Sequence, residues 1–197
     1  IFAGTGYEGG NIYRTSDWGI NWEGCFNNGI GVTSMAQYGN NIYAGTTSDF
    51  NFQGIWKSTD YGNNWIDIWQ EGSVLSVRSL IAIDSFIIAG TSTIGVYGSL
   101  DNGETWNELN NGLPSNSYIK SMILFNNKIF AGVTYEEQKS GNYYSTDFGL
   151  NWLPLNDGIG DFSIHSFASN GNYLFSIAGS KVYVLLENEN KWKEITD

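Results

Sequence analysis

The sequence predicts an all-β chain of about five similar units, each of four short strands, and three observations predict it. An octet of pattern hydroxyl-x-Asp-x-Gly-x-x-Trp is written four times and sketched a fifth. A strand reading Ile-x-Ala-Gly-Thr comes before each octet and recurs every 40–46 residues or so, the range of a four-stranded propeller blade. No stretch sustains an i, i+3, i+4 apolar stripe, and Gly or Asn interrupts the chain roughly every ten residues.

The octets are Thr15 to Trp22, Ser58 to Trp65, Ser99 to Trp106 and Ser145 to Trp152, with a worn copy from Leu185 to Trp192 that lacks the hydroxyl and the glycine. Each letter has a mechanical reading. The aspartates Asp17, Asp60, Asp101 and Asp147 accept hydrogen bonds from backbone just after them and close a turn. Gly19, Gly62, Gly103 and Gly149 supply positive φ at little cost. The leading Ser or Thr satisfies a further turn group. Trp22, Trp65, Trp106 and Trp152 bring an apolar plate back under the turn, with an indole N–H still to be partnered. The octet is therefore a stapled hairpin turn, and these twelve residues are read as structural.

The strands follow in order. Ile1 to Thr5, Ile42 to Thr46, Ile87 to Thr91, Ile129 to Val133 and a faded Leu174 to Ala178 are the second strand, B, of each unit. Ile12 to Arg14, Ile55 to Lys57, Val96 to Gly98, Tyr143-Tyr144 and Val182 to Val184 form strand C, and the residues after each octet Trp form strand D. Val32 to Tyr38, Val77 to Ile83, Ile119 to Phe125 and Ile164 to Ser169 are the inner strand A. Pro114 and Pro154 fall in or beside D–A connections, where they cost no ladder hydrogen bond. The repeats run approximately 1–31, 32–76, 77–118, 119–163 and 164–197, within a single propeller domain over 1–197. Five C–D hairpins but four A strands leave two arrangements: a five-bladed ring whose first blade lacks its inner strand, or an arc of a larger propeller. The ring is preferred, since an arc would expose two large apolar faces, and a closed ring would be a monomer.

Composition narrows the partners. Charged residues at 15%, aromatics at 16% and 25 glycines suit short strands joined by tight turns, and a net charge of −11 argues against nucleic acid or an anionic membrane as partner and fits simple solubility. No apolar run reaches the ~20 residues of a membrane span. Cys25 is the only cysteine, so no intrachain disulfide forms. The start at Ile1 without Met and the lack of any N-x-Ser/Thr sequon suit a trimmed, exported protein of bacterial type, secreted, periplasmic or on the cell surface.

The octet resembles the Asp-box, or bacterial neuraminidase repeat, found on β-propellers of sialidases, some endoglucanases, sortilin-type receptors and photosystem II assembly factors. The resemblance runs from Thr15 to Trp192 and implies a propeller with its octets at C–D turns. It implies little about activity, because the family includes enzymes and binders. Its geometry puts the B–C and D–A connections on one face and the octets on the opposite rim. Sialidases of the family clamp a carboxylate with three arginines. This chain has two, Arg14 and Arg78, which excludes the standard kind. Family endoglucanases work across a cleft between two seven-bladed propellers, which this chain could form only as a part. No catalytic residue, cofactor or metal ligand set is assigned; one His and one Cys offer neither a triad nor a transition-metal site.

Candidate ligand residues lie instead where the repeats disagree. Three B–C loops are long and place aromatics beside acids: Tyr7 and Glu8; Asp49, Phe50 and Phe52; Tyr135 and Glu136. That mixture suits a protein, peptide or carbohydrate, and plain loop variation would produce it as well. The second residue of strand A reads Thr33, Arg78, Lys120 and His165 in successive repeats. Near a central mouth the last three would form a cationic patch for an anionic group; salt bridges to neighbouring blades are the competing use. The expected role is a non-catalytic recognition or scaffold module. The alternatives are a piece of a glycoside hydrolase and a structural module of a larger surface protein.

Overall fold

The computed structural model describes residues 1–6, 10–27, 29, 31–47, 54–69, 76–134, 140–159 and 164–195. Five antiparallel sheets follow one another along the sequence. The first has three strands, β1 (Phe2–Gly4), β2 (Ile12–Arg14) and β3 (Glu23–Phe26). The second contains β4 (Gly31–Tyr38), β5 (Asn41–Thr47), β6 (Ile55–Ser58) and β7 (Ile66–Asp67), and the third β8 (Val77–Ile83), β9 (Phe86–Thr91), β10 (Val96–Ser99) and β11 (Asn107–Glu108). The fourth is β12 (Tyr118–Phe125), β13 (Lys128–Thr134), β14 (Gly141–Ser145) and β15 (Leu153–Pro154). The fifth is β16 (Ile164–Ser169), β17 (Leu174–Ala178), β18 (Lys181–Leu186) and β19 (Lys191–Glu194). In each four-stranded sheet spatial order follows chain order, so A–B and C–D turns lie at one end and B–C and D–A connections at the other.

The sheets taper from inner strands of up to eight residues to outer strands of two in the second, third and fourth sheets. A short edge offers little unpaired backbone to another chain. Pro154 lies within such an edge strand rather than in the connection, opposite Tyr143, where its missing N–H is not needed by a further strand. Among the described residues the one helical turn is a 3-10 turn, Glu187–Glu189, in the worn octet.

The second strands β5, β9 and β13 are buried almost throughout, and their Ala-Gly pair explains how. A Cβ on Gly4, Gly45, Gly90 or Gly132 would collide with the γ-methyl of Val32, Val77, Ile119 or Ile164, each the β-branched opening of the next sheet's inner strand. These glycines let consecutive sheets approach. In the fifth sheet the same register position, opposite the third residue of the inner strand, holds Ile177, and it is 41% exposed.

Two compact units divide the chain: residues 1–89 with 98–107, and residues 90–97 with 108–197. The first has a core of Ile12, Phe26, Val32 and Ala44, against which Phe2, Met35, Trp56 and Trp65 pack. The core of the second contains Phe125, Phe130, Leu155, Phe167, Tyr183 and Trp192.

Candidate functional site

The octets are built almost identically. The leading hydroxyl donates to the Asp carboxylate at 2.6–2.9 Å and accepts the Gly N–H at 2.7–3.0 Å. The same carboxylate takes the backbone N–H four residues on at 2.9 Å, and its second oxygen takes that residue's side chain, Asn21, Asn64, Thr105 or Asn151. These bonds favour the ionised form. The Asn21 N–H and the Thr15 hydroxyl lower Asp17 to about 2, and the Thr105 hydroxyl and N–H lower Asp101 to about 2. Asp60 and Asp147 move the same way, chiefly through the Asn64 and Asn151 amides. Every carboxylate is spent on its own turn, which leaves it no role in chemistry on a ligand.

Two features of the octet were not legible beforehand. The residue between Asp and Gly is left-handed in the four full copies: Trp18, Tyr61, Asn102 and Phe148 have φ of 59–61°. Asn tolerates that region, whereas aromatic residues adopt it at a cost. The second feature is the destination of the indole. Trp106, Trp152 and Trp192 donate Nε1–H to the carbonyls of Ile68, Leu109 and Leu155, each three residues past the preceding Trp, at 2.8–3.0 Å. In the last two cases the Trp backbone N–H also donates to the carbonyl five past the preceding Trp, Asn111 or Asp157. Next to it Gly112 or Gly158 sits where a Cβ would strike the Trp carbonyl. These octets fasten their sheet to the one before.

The opposite end of the sheets carries the candidate ligand residues. Thr33, Lys120 and His165 each fall at a register slip of the inner strand, between Val32 and Ser34, Ile119 and Ser121, and Ile164 and Ser166. Such bulges re-aim a side chain out of the ladder. The neighbouring inner strands β12 and β16 carry Lys120, half-buried, and His165, exposed, at corresponding bulges of the second unit. Thr33 is committed to structure: its hydroxyl lies 3.0 Å from the Gly45 carbonyl and 2.5 Å from that of Val77. Arg78, in the first unit, is half-buried and partnered. Tyr7, Glu8, Asp49, Phe50, Phe52, Tyr135 and Glu136 lie outside the described residues.

A cavity that the sequence did not announce sits at this end of the second unit. It has a volume of about 330 Å³ and is lined by the Ile94-Gly95 turn, Tyr97, Glu108, Asn110 and residues 113–117. Its walls are pinned. Asn110 accepts the Val96 N–H at 2.8 Å and donates to the Ile94 carbonyl at 3.0 Å. The N–H of Gly95 reaches the Ser117 carbonyl at 3.1 Å, and the buried Ser117 hydroxyl donates to the Pro114 carbonyl at 2.6 Å. Tyr97 Oη donates to Glu108 Oε1 at 2.9 Å. The signal was present in part: Asn156 accepts the Asn142 N–H beside Gly141 as Asn110 does beside Gly95, so an Asn four past the octet Trp pairs with the Gly that opens strand C.

No protein-family model matches the chain, and no curated protein does either. Solved structures match closely in shape. YCF48 bound to a D1 peptide has a TM-score of 0.72 at 17% identity, over 98% of this chain and 62% of that one. A GH74 enzyme of Niastella koreensis gives 0.77 at 21%, over 98% and 35%. The fold is that of a β-propeller. An ancestral GH74 enzyme extends the likeness, with a TM-score of 0.74 at 21% identity over 99% of this chain and 29% of its own. This propeller chain spans less than two thirds of the length of each of these proteins.

Proposed function

We propose that the chain is a recognition module of the Asp-box type that binds an extended peptide at the end of its sheets bearing the B–C and D–A connections. The observation that carries this reading is the preformed cavity of the third repeat. Its walls are held by bonds within the protein, so little ordering cost remains for a ligand. The octet carboxylates, by contrast, are consumed at the other end. The likeness to YCF48 bound to a D1 peptide adds support.

A second reading is favoured by the GH74 enzymes, whose TM-scores reach 0.77: the chain is part of a glycoside hydrolase and contributes one wall of a cleft. A peptide array, a glycan array and a reducing-sugar assay on one preparation separate the two. Peptide capture without sugar release is the expected result. Release of reducing sugar from a β-glucan would replace the first reading with the second.

A further inference from the structure

We infer that the cavity of the third repeat selects a basic side chain, Lys or Arg, of the bound peptide. This rests on the recognition reading above and specifies what one subsite of it takes. The lining contains one carboxylate, Glu108, and no cation, so an anionic group would enter against uncompensated charge. A carboxylate only accepts hydrogen bonds, and one of its oxygens already holds the Tyr97 phenol; the other is left for a donor supplied by the ligand. The amide of Asn110 is tied into the wall by its bonds to the Val96 N–H and the Ile94 carbonyl and is a neutral acceptor at best, so the charged Glu108 oxygen is the stronger partner for a cation.

The remaining surface suits the stem of such a side chain. Tyr97, Leu113 and Pro114 give apolar area along which the methylenes of Lys or Arg can lie while the charged head reaches Glu108. A volume of about 330 Å³ is at the small end for a ligand site, which fits one side chain rather than a whole ligand. The chain's net charge of −11 draws cations toward the protein from a distance.

The test is nuclear magnetic resonance titration of the whole chain with a capped Gly-Gly-Arg-Gly-Gly peptide and with its Gln counterpart. The Arg peptide is expected to move the amide signals of Gly95 and Asn116, and the Gln peptide to move them at least about fivefold more weakly. Glu108→Gln keeps the shape and the phenol contact, and should reduce Arg binding to the level of Gln. Equal response to the two peptides overturns the inference. So does a response to cellobiose at Gly95 and Asn116 with none to the Arg peptide. If Glu108→Gln leaves capture on the peptide array unchanged, this subsite is wrong while the recognition reading stands. If wild type captures no peptide, the recognition reading itself fails.

Discussion

Trp65 and Trp152 occupy the same place in the same octet and do opposite things. Trp152 is 2% exposed and reaches into the preceding sheet for the Leu109 carbonyl. Trp65 turns back on its own octet and donates to the Gly62 carbonyl at 3.1 Å, with its ring 5.5 Å from that of Phe26. Trp22 also bonds within its octet and is 44% exposed. The octet letters therefore specify the turn, and the sheet behind specifies where the indole N–H goes. A motif that reads as one device is two: a staple whose indole N–H stays within its own octet in the first two copies, and a rivet whose indole N–H bonds the preceding sheet in the later ones.

The largest expected effect separates these two directly. Trp152→Ala removes a buried ring and leaves the Leu109 carbonyl without its donor, so it should cost about 3–5 kcal/mol in urea unfolding. Trp22→Ala should cost roughly 1 kcal/mol or less. Similar losses at the two sites would break the comparison. Next in size is the glycine that admits the rivet. Gly158→Ala adds a Cβ against the Trp192 carbonyl at a φ of 86°, for about 1–3 kcal/mol. Gly171→Ala, at a φ of 87° but facing open space, should show only the conformational part, about 1 kcal/mol.

Acid should act on staples and rivets alike. The octet aspartates are held below the usual carboxylate value of about 3.9 in the folded chain. Their contribution is complete above that value and is lost as pH falls through the folded values, about 2 for Asp17 and Asp101. The urea midpoint should thus decline between about pH 4 and pH 2, and Asp101→Asn should flatten that decline. The smallest effect is a gain. Trp18, 90% exposed at a φ of 61°, holds a left-handed conformation that Asn adopts more easily, so Trp18→Asn should raise stability by about 1 kcal/mol or less. Tyr61→Asn should gain less, since its hydroxyl bonds Asn40 at 3.0 Å.

The fold was legible because its signals are side chains repeated in register. The inner strands expected over Val77 to Ile83 and Ile119 to Phe125 lie in β8 and β12, and the three-stranded first sheet agrees with the missing inner strand. What escaped depends on backbone. The acceptors of Trp106, Trp152 and Trp192 are main-chain carbonyls, which any residue supplies. Nothing in the letters Trp18, Tyr61 or Phe148 announces positive φ. The bulges that carry Lys120 and His165 are register events, invisible in a list of strand residues. The cavity arises where the Ile94-Gly95 turn meets residues 113–117, and only the Gly95–Asn110 pairing had a counterpart to compare, at Gly141 and Asn156.

The most direct test of the staple-and-rivet account is hydrogen exchange at the indole N–H groups, followed by nuclear magnetic resonance on the intact chain. The account predicts slow exchange at Trp106, Trp152 and Trp192, close to the limit set by global unfolding, and rapid exchange at Trp22 and Trp18. Exchange at Trp152 or Trp192 as fast as at Trp22 would contradict it.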